Sequence, residues 1–410
     1  MKQNSPQGVQ EKARHSATPS SVPSHSKRVQ FMEEQNGPYL LSDADAKAAI
    51  QELFGFQNLL QGMKAFLPKP LFDLIIREKD QVNSVQNFQE KIARPLLKVI
   101  EHESISKLTA SGLEHLNQQD QYLFISNHRD IILDSAFLNT VLFDRSFQTS
   151  QIAIGDNLMR HRISELIFRI NKSFVVKRTG SPMELYRYSL QLSAYIARQI
   201  TEKVDSVWIA QREGRAKDGD DRTQVGLVKM LSLSAKTDLK TYFKTLKIVP
   251  VAISYEFDPC DLLKAQEYLH KKADPDYKKT FEEDVQHMLL GLKGNKGSVH
   301  FHFSAPLDTA LDELDEVPNP KKQLEMLAEI IDQRIHTYYR LRPINYIAQD
   351  LLDQKQTFSH YYSEADFQKI SAYFEQRFRL LTHDEEGLGR VYLLKMYANP
   401  LMNHLAATGL

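Results

Sequence analysis

The period of the hydrophobic positions changes twice along the chain. Between residues 43 and 101 it is helical: Leu53, Phe54, Phe56, Leu59, Leu60, Met63, Phe66 and Leu67 form a broad apolar face, interrupted by Gly55 and Gly62. Pro68 and Pro70 break that face ahead of Leu71-Phe72-Asp73-Leu74-Ile75-Ile76, which predicts a helical hairpin. From about residue 118 the runs shorten. Apolar stretches at 121–126, 150–154, 173–177, 204–210 and 247–254 alternate with amphipathic ones near 132–143, 157–170, 182–203 and 223–236. Strands alternating with helices of this length predict βαβ units and a mostly parallel sheet. A last strand is expected at Ser298 to Phe303, with Val299, Phe301 and Phe303 inside and His300 and His302 on a solvent face. Beyond it the period is helical again. Leu324, Leu327, Ile331, Ile335 and Tyr338 share one face, and Ser363 with Asp366 starts a capped helix carrying Phe367, Ile370, Phe374 and Phe378.

The expected class is therefore α/β: a largely parallel sheet flanked by helices, with an N-terminal helical hairpin and a C-terminal helical extension. The boundaries expected are a disordered tail over 1–36, a helical region over 37–117, the α/β domain over 118–307 and the extension over 308–410. The apolar residues of 53–76 exceed what one helical stripe needs. They serve either to pack on the main domain or to anchor the hairpin in a lipid interface, with Lys64 and Lys69 at headgroup level.

Charge changes this picture by exclusion. With 52 basic and 52 acidic residues, no global field draws the chain to nucleic acid, so electrostatic recognition must be local. The single cysteine, Cys260, excludes an intrachain disulfide framework and fits a reducing compartment, where it reads as a small buried residue. The N-terminus lacks the apolar stretch of a signal peptide, and no run of about 18 apolar residues occurs. A cytoplasmic protein lying on a membrane face is expected.

Four segments carry candidate chemistry. Ile125-Ser126-Asn127-His128 ends a strand in an imidazole, at the sheet edge where open α/β folds bind ligands. Neutral imidazole suits removal of a hydroxyl proton, provided a carboxylate orients its other nitrogen; Asp134 and Asp130 are both candidates. Ser173 to Arg178 is a strand delivering Lys177 and Arg178 beside a helix start, a plausible phosphate site. Val207 to Lys217 runs into a turn with Glu213, Gly214 and Arg215, where Arg212, Lys217 and Arg222 add further charge. In Lys247 to Glu256, Pro250 demotes the strand from a central position or marks a bulge. His300 and His302 have metal-ligating side chains but read as surface strand residues, and no metal is expected.

In this order, the four segments resemble the four blocks of the glycerolipid acyltransferases, the glycerol-3-phosphate and 1-acylglycerol-3-phosphate O-acyltransferases. Asn127-His128-Arg129 with Asp134 resembles the catalytic block, and Phe174 to Arg178 with Leu185-Tyr186 the second. Glu213-Gly214-Arg215 resembles the third, and Val249-Pro250-Val251 with Ile253 to Glu256 the fourth. Three features depart from the pattern. Five residues, not four, separate His128 from Asp134; the third block lacks its usual proline; and Lys172 stands where a small residue is usual. The extra residue would rotate a helical Asp134 by about 100°, which leaves Asp130 open as the partner. The resemblance implies an acyl-ACP or acyl-CoA donor, no other cofactor and no covalent acyl-enzyme. His128 would be the base, and Arg178, Lys177 and Arg215 would hold the acceptor phosphate. Arg129, Glu213, Gly214 and Pro250 complete the implied substrate-binding set. Two alternatives remain open: O-acylation of an N-acyl amino acid lipid, and a non-catalytic lipid-binding protein on the same fold.

Overall fold

The computed structural model describes residues 40–382 and 386–410. The tail expected over 1–36 lies outside the described residues. Seven strands form one sheet: β1 (Ile105–Ser111), β2 (Leu123–Ser126), β3 (Gln151–Gly155), β4 (Ser173–Val176), β5 (Val207–Ala210), β6 (Ile248–Tyr255) and β7 (Gly297–Phe303). Their spatial order is β1-β7-β6-β2-β5-β3-β4. All neighbours are parallel except β6 and β7, so the sheet is largely parallel, as the alternation of elements predicts.

The central strands read as unbroken apolar runs because both of their faces are covered. On one side, Leu123, Ile125, Val207, Ile209 and Ile248 pack under α8 (Pro182–Thr201), α9 (Val225–Ser232), α10 (Leu239–Thr245) and α13 (Pro320–Tyr338). On the other, Phe124, Val249, Val251, Phe301 and Phe303 pack against α5 (Arg94–Ser104) and α6 (Leu133–Asp144). Helix α6 is buried almost all round, so its apolar residues show no stripe. Helix α8 starts as its sequence dictates, with Pro182 in the first turn and a reciprocal capping box between Ser181 and Glu184. The capping box expected between Ser363 and Asp366 opens α15 (Glu364–Phe378).

Three expectations change. The sheet begins at β1, inside the segment assigned above to the helical region; this strand pairs with β7 at the sheet edge and is mostly half-exposed, so it carries little apolar signal. Pro250 sits in β6, a central strand between β7 and β2, without a bulge. Its carbonyl accepts from Ser304 N, so its absent N–H faces a point just beyond the end of β7, where no ladder bond is lost. His300 is buried rather than solvent-facing. It bonds Thr109 Oγ1 and Ser111 Oγ of β1, while His302 bonds Ser111 Oγ and stacks on Tyr338.

The N-terminal helices α1 (Asp43–Leu53), α2 (Gln57–Phe66) and α3 (Lys69–Glu78) bury Ile50, Leu53 and Ile75 together with Leu166 and Ile170 of α7 (Arg162–Ile170). A short α4 (Val85–Phe88) leads into α5. Between β6 and β7 the chain inserts α11 (Asp261–Ala273) and α12 (Phe281–Lys293). The C-terminal α14 (Pro343–Asp353), α15 and α16 (Glu386–Thr408) enclose a further core around Ile344, Ile347, Phe374 and Tyr397, joined by Ala265 of α11. The described residues belong to one compact unit. Among the described residues no helix is long and apolar enough to cross a membrane.

Candidate active site

Strand β2 ends at Ser126, but the next side chain extends its ladder. Asn127 Oδ1 accepts from Ile253 N at 2.7 Å, and Nδ2 donates to Ile253 O at 2.9 Å. A second bond from Nδ2 reaches Asp221 Oδ2 at 3.4 Å. The buried amide thus replaces a residue of strand and delivers His128 just past the sheet edge. The His128 ring lies edge-on to Trp208, whose Nε1 donates to Ser126 Oγ at 2.9 Å.

His128 Nδ1 lies 2.9 Å from Asp134 Oδ2. The same oxygen accepts Arg129 N at 2.6 Å and Asp130 N at 3.0 Å. Asp134 is completely buried, in the first turn of α6. A carboxylate facing Nδ1 fixes the neutral tautomer with its proton there, which leaves the lone pair on Nε2. Asp130 does different work. Its Oδ1 accepts Ile132 N at 2.9 Å and Leu133 N at 2.8 Å, capping α6. Its Oδ2 rests on Gly291 of α12, where a Cβ would come within 2.2 Å. Burial, and then the neighbouring Asp134, raise its pKa above the usual carboxylate range. The extra residue between His128 and Asp134 is absorbed in this capped turn, before the helix begins.

The cations expected around an acceptor do not all converge. Arg178 is exposed at the end of β4, and its Nη1 is 3.3 Å from Glu213 Oε1 in the turn after β5. Lys177 lies over the Tyr188 ring at 5.1 Å. Gly214 takes the left-handed conformation that turns this loop, with φ +68°. Arg215 is instead buried. Its Nη2 donates to His287 Nδ1 at 2.9 Å, and burial together with this guanidinium pushes His287 down to about 2, so the ring is neutral. Arg129 is also buried, 2.5 Å from Asp221 Oδ2 and over the Tyr339 ring. Neither guanidinium is placed at an open surface. Lys217 pairs with Glu267, and Arg222 with Asp220 and Asn403. Half-buried Arg212, at the carboxyl edge of β5, has a buried Nε with no hydrogen-bond partner.

Two supports were invisible in the motifs. Lys264 of α11, fully buried, donates to the Arg129 carbonyl at 2.9 Å and pairs with Asp258. Asp221, which holds Arg129 and Asn127, is fixed in turn by His336 of α13, whose Nε2 lies 2.6 Å from the Asp221 carbonyl. Only the burial of a charged residue signals such roles, and burial is not readable from spacing.

An apolar cavity of about 700 Å³ opens between α2, α5, α6, α7 and α12. From Ile132 along α6 it is lined by Ile132, Ser135, Ala136, Asn139, Thr140 and Phe143, one helical face ~16 Å long at 1.5 Å per residue. Met63 and Phe66 of α2 and Leu96 and Leu97 of α5 form other walls. Its volume is that of a small-molecule pocket.

Residues 107–254, which include His128, Asp134, Arg178, Glu213 and Pro250, match the family model described as Acyltransferase. No curated protein sequence matches the chain. Among solved structures, the chain is similar to the 1-acyl-sn-glycerophosphate (LPA) acyltransferase PlsC from Thermotoga maritima. That match has 11% identity and a TM-score of 0.34, covering 72% of this chain and 97% of that one.

Proposed function

Residues 107–254 being an acyltransferase-family domain, we propose that the protein moves a fatty acyl group from an acyl-ACP or acyl-CoA thioester to a hydroxyl of glycerol-3-phosphate or 1-acylglycerol-3-phosphate. The observation that carries this reading is the His128–Asp134 pair, held in the turn that leads into α6, the helix that also lines the apolar cavity from Ser135 to Phe143. A general base and a space for an acyl chain are what transfer to an alcohol requires.

In this mechanism Nε2 of His128 takes the proton of the acceptor hydroxyl as its oxygen bonds to the thioester carbonyl carbon. Asp134 stabilises the imidazolium that forms. Collapse of the tetrahedral intermediate breaks the C–S bond, and the imidazolium returns its proton to the leaving thiolate. The ester and the free thiol are released, and no acyl group resides on the protein. Lys177 and Arg178 offer the acceptor phosphate charge-assisted contacts, and Arg212 is a further donor at the same sheet edge. Glu213 holds Arg178 in the free protein. The acyl chain occupies the cavity along α6, and the apolar product is handed to a membrane surface. The identity of the acceptor follows from incubating the purified protein with labelled acyl-ACP or acyl-CoA and a panel that includes glycerol-3-phosphate, lysophosphatidate and an N-acyl amino acid lipid. Acylation of the last alone would replace this acceptor assignment.

A further inference from the structure

The insert between β6 and β7 lies outside the segment matched to the acyltransferase family, yet its helix α12 forms part of the cavity wall. Leu289, Leu292 and Lys293 line the cavity beside Phe66 of α2, and Lys293 Nζ sits 5.0 Å from the Phe66 ring centre. The outward face of α12 repeats with helical spacing: Val285, Leu289 and Leu290 lie between Glu282 and Lys293. Leu289 is 51% exposed, Leu290 37% and Phe66 37%. Two helices distant in sequence therefore present one apolar patch, continuous through Leu289 and Phe66 with the hollow behind it.

We infer that α12 is a membrane-docking helix whose Leu289–Leu290 face, together with Phe66, seats the cavity mouth on a lipid surface. The occupant is argued from what lies behind the patch. A cavity with a mainly apolar lining accepts an acyl chain, and a bilayer presents such chains at its surface. Lys293, at the end of the patch opposite Glu282, supplies a cation beside Phe66 for anionic headgroups. The inference rests on the lipid-surface part of the proposed function, but binding needs no turnover and is measured apart from catalysis.

The test is flotation of the full chain with phosphatidylethanolamine–phosphatidylglycerol vesicles, comparing wild type, Leu289→Asp/Leu290→Asp and the milder Leu289→Ser/Leu290→Ser. Leu380→Asp, at an exposed leucine outside α12, is the control. Both substituted leucines are exposed, so thermal unfolding is expected to stay unchanged. The aspartate pair is expected to lower vesicle partitioning by about tenfold or more, the serine pair by less, and the control by under about twofold. Wild type that fails to bind vesicles, or a serine pair and aspartate pair that bind as wild type does, overturns the proposal. Loss of self-association or a raised KM for acyl-ACP with vesicle binding intact also overturns it, and assigns the patch to a second copy or to the carrier. Failure of transfer activity with binding behaving as stated would refute the chemistry and leave the docking surface standing.

Discussion

The His128 Nδ1 to Asp134 Oδ2 bond, 2.9 Å long, is made across a turn that Asp130 caps, so the two carboxylates have separate tasks. Asp134 Oδ2 receives three donors, one of them the imidazole; Asp130 receives two backbone N–H groups and none from His128. Asp134→Asn presents an amide to Nδ1 and favours the wrong tautomer, with an expected loss of about 10²–10⁴ in kcat. Asp130→Asn keeps a side-chain acceptor at the cap and is expected to lose less than about tenfold. Steady-state kinetics of both variants measures the contrast; the reverse order would make Asp130 the partner.

Arg178 and Arg215 are expected to behave differently, although both lie in motif segments. Removing exposed Arg178 raises KM for the phosphorylated acceptor, since a charge-assisted contact contributes about 1.5–3 kcal/mol, or roughly 10- to 150-fold, while donor KM holds. Arg215→Ala removes the donor to His287 from a buried site, and its main effect is a lowered melting temperature. Equal effects on donor and acceptor KM in Arg178→Ala would place that residue elsewhere in the reaction.

The cavity along α6 sets a length limit. Thr140 lines it two helical turns beyond Ile132. Thr140→Phe fills the distal part, and kcat/KM is expected to fall for long acyl donors while short ones keep theirs. Uniform loss across chain lengths would mean that the acyl chain lies outside this cavity.

Much of the fold was legible because its signals are local. The runs of β2 to β7 and the Ser363–Asp366 cap each declare themselves within a few residues. Edge strand β1 did not, because exposed Ser106 and Lys107 and half-exposed Thr109 carry no alternation. At the site, His128 and both carboxylates were legible, but not which carboxylate pairs with the imidazole, since that depends on how the turn is capped. Arg129 and Arg215 read as ligand cations because the groups that bury them, Asp221 and His287, come from distant segments. Pro250 read as a mark of an edge strand or a bulge because its tolerance depends on where a different strand ends.

A pH-dependent term is expected from the contact between α13 and the loop after β5. Asp332 Oδ1 accepts both Thr223 N and Oγ1, and burial raises its pKa to about 6 from 3.8. The folded state therefore binds more protons than the unfolded one between about pH 4 and 6, and stability falls as pH rises through that window. The penalty is complete above pH 6 and absent below pH 4. Asp332→Asn keeps the acceptor without the charge, so it is expected to be more stable than wild type at pH 7 by up to about 3 kcal/mol, and equal to it below pH 4. Denaturant unfolding at the two pH values reads the difference; a variant less stable at pH 7 would show the ionised carboxylate to be favourable there.

The most direct test of the central claim is the rate at which His128→Ala transfers a labelled acyl group from its thioester to glycerol-3-phosphate or lysophosphatidate, beside wild type under identical conditions. The half-buried imidazole lies edge-on to Trp208 at the sheet edge, and the variant is expected to melt close to wild type. Wild type is expected to form labelled ester and free thiol in equal amounts, with no label on the protein, and His128→Ala to lose at least about 10³-fold in kcat. A folded His128→Ala that keeps wild-type turnover, or a wild-type protein that retains the label as a covalent acyl-enzyme, would contradict the account.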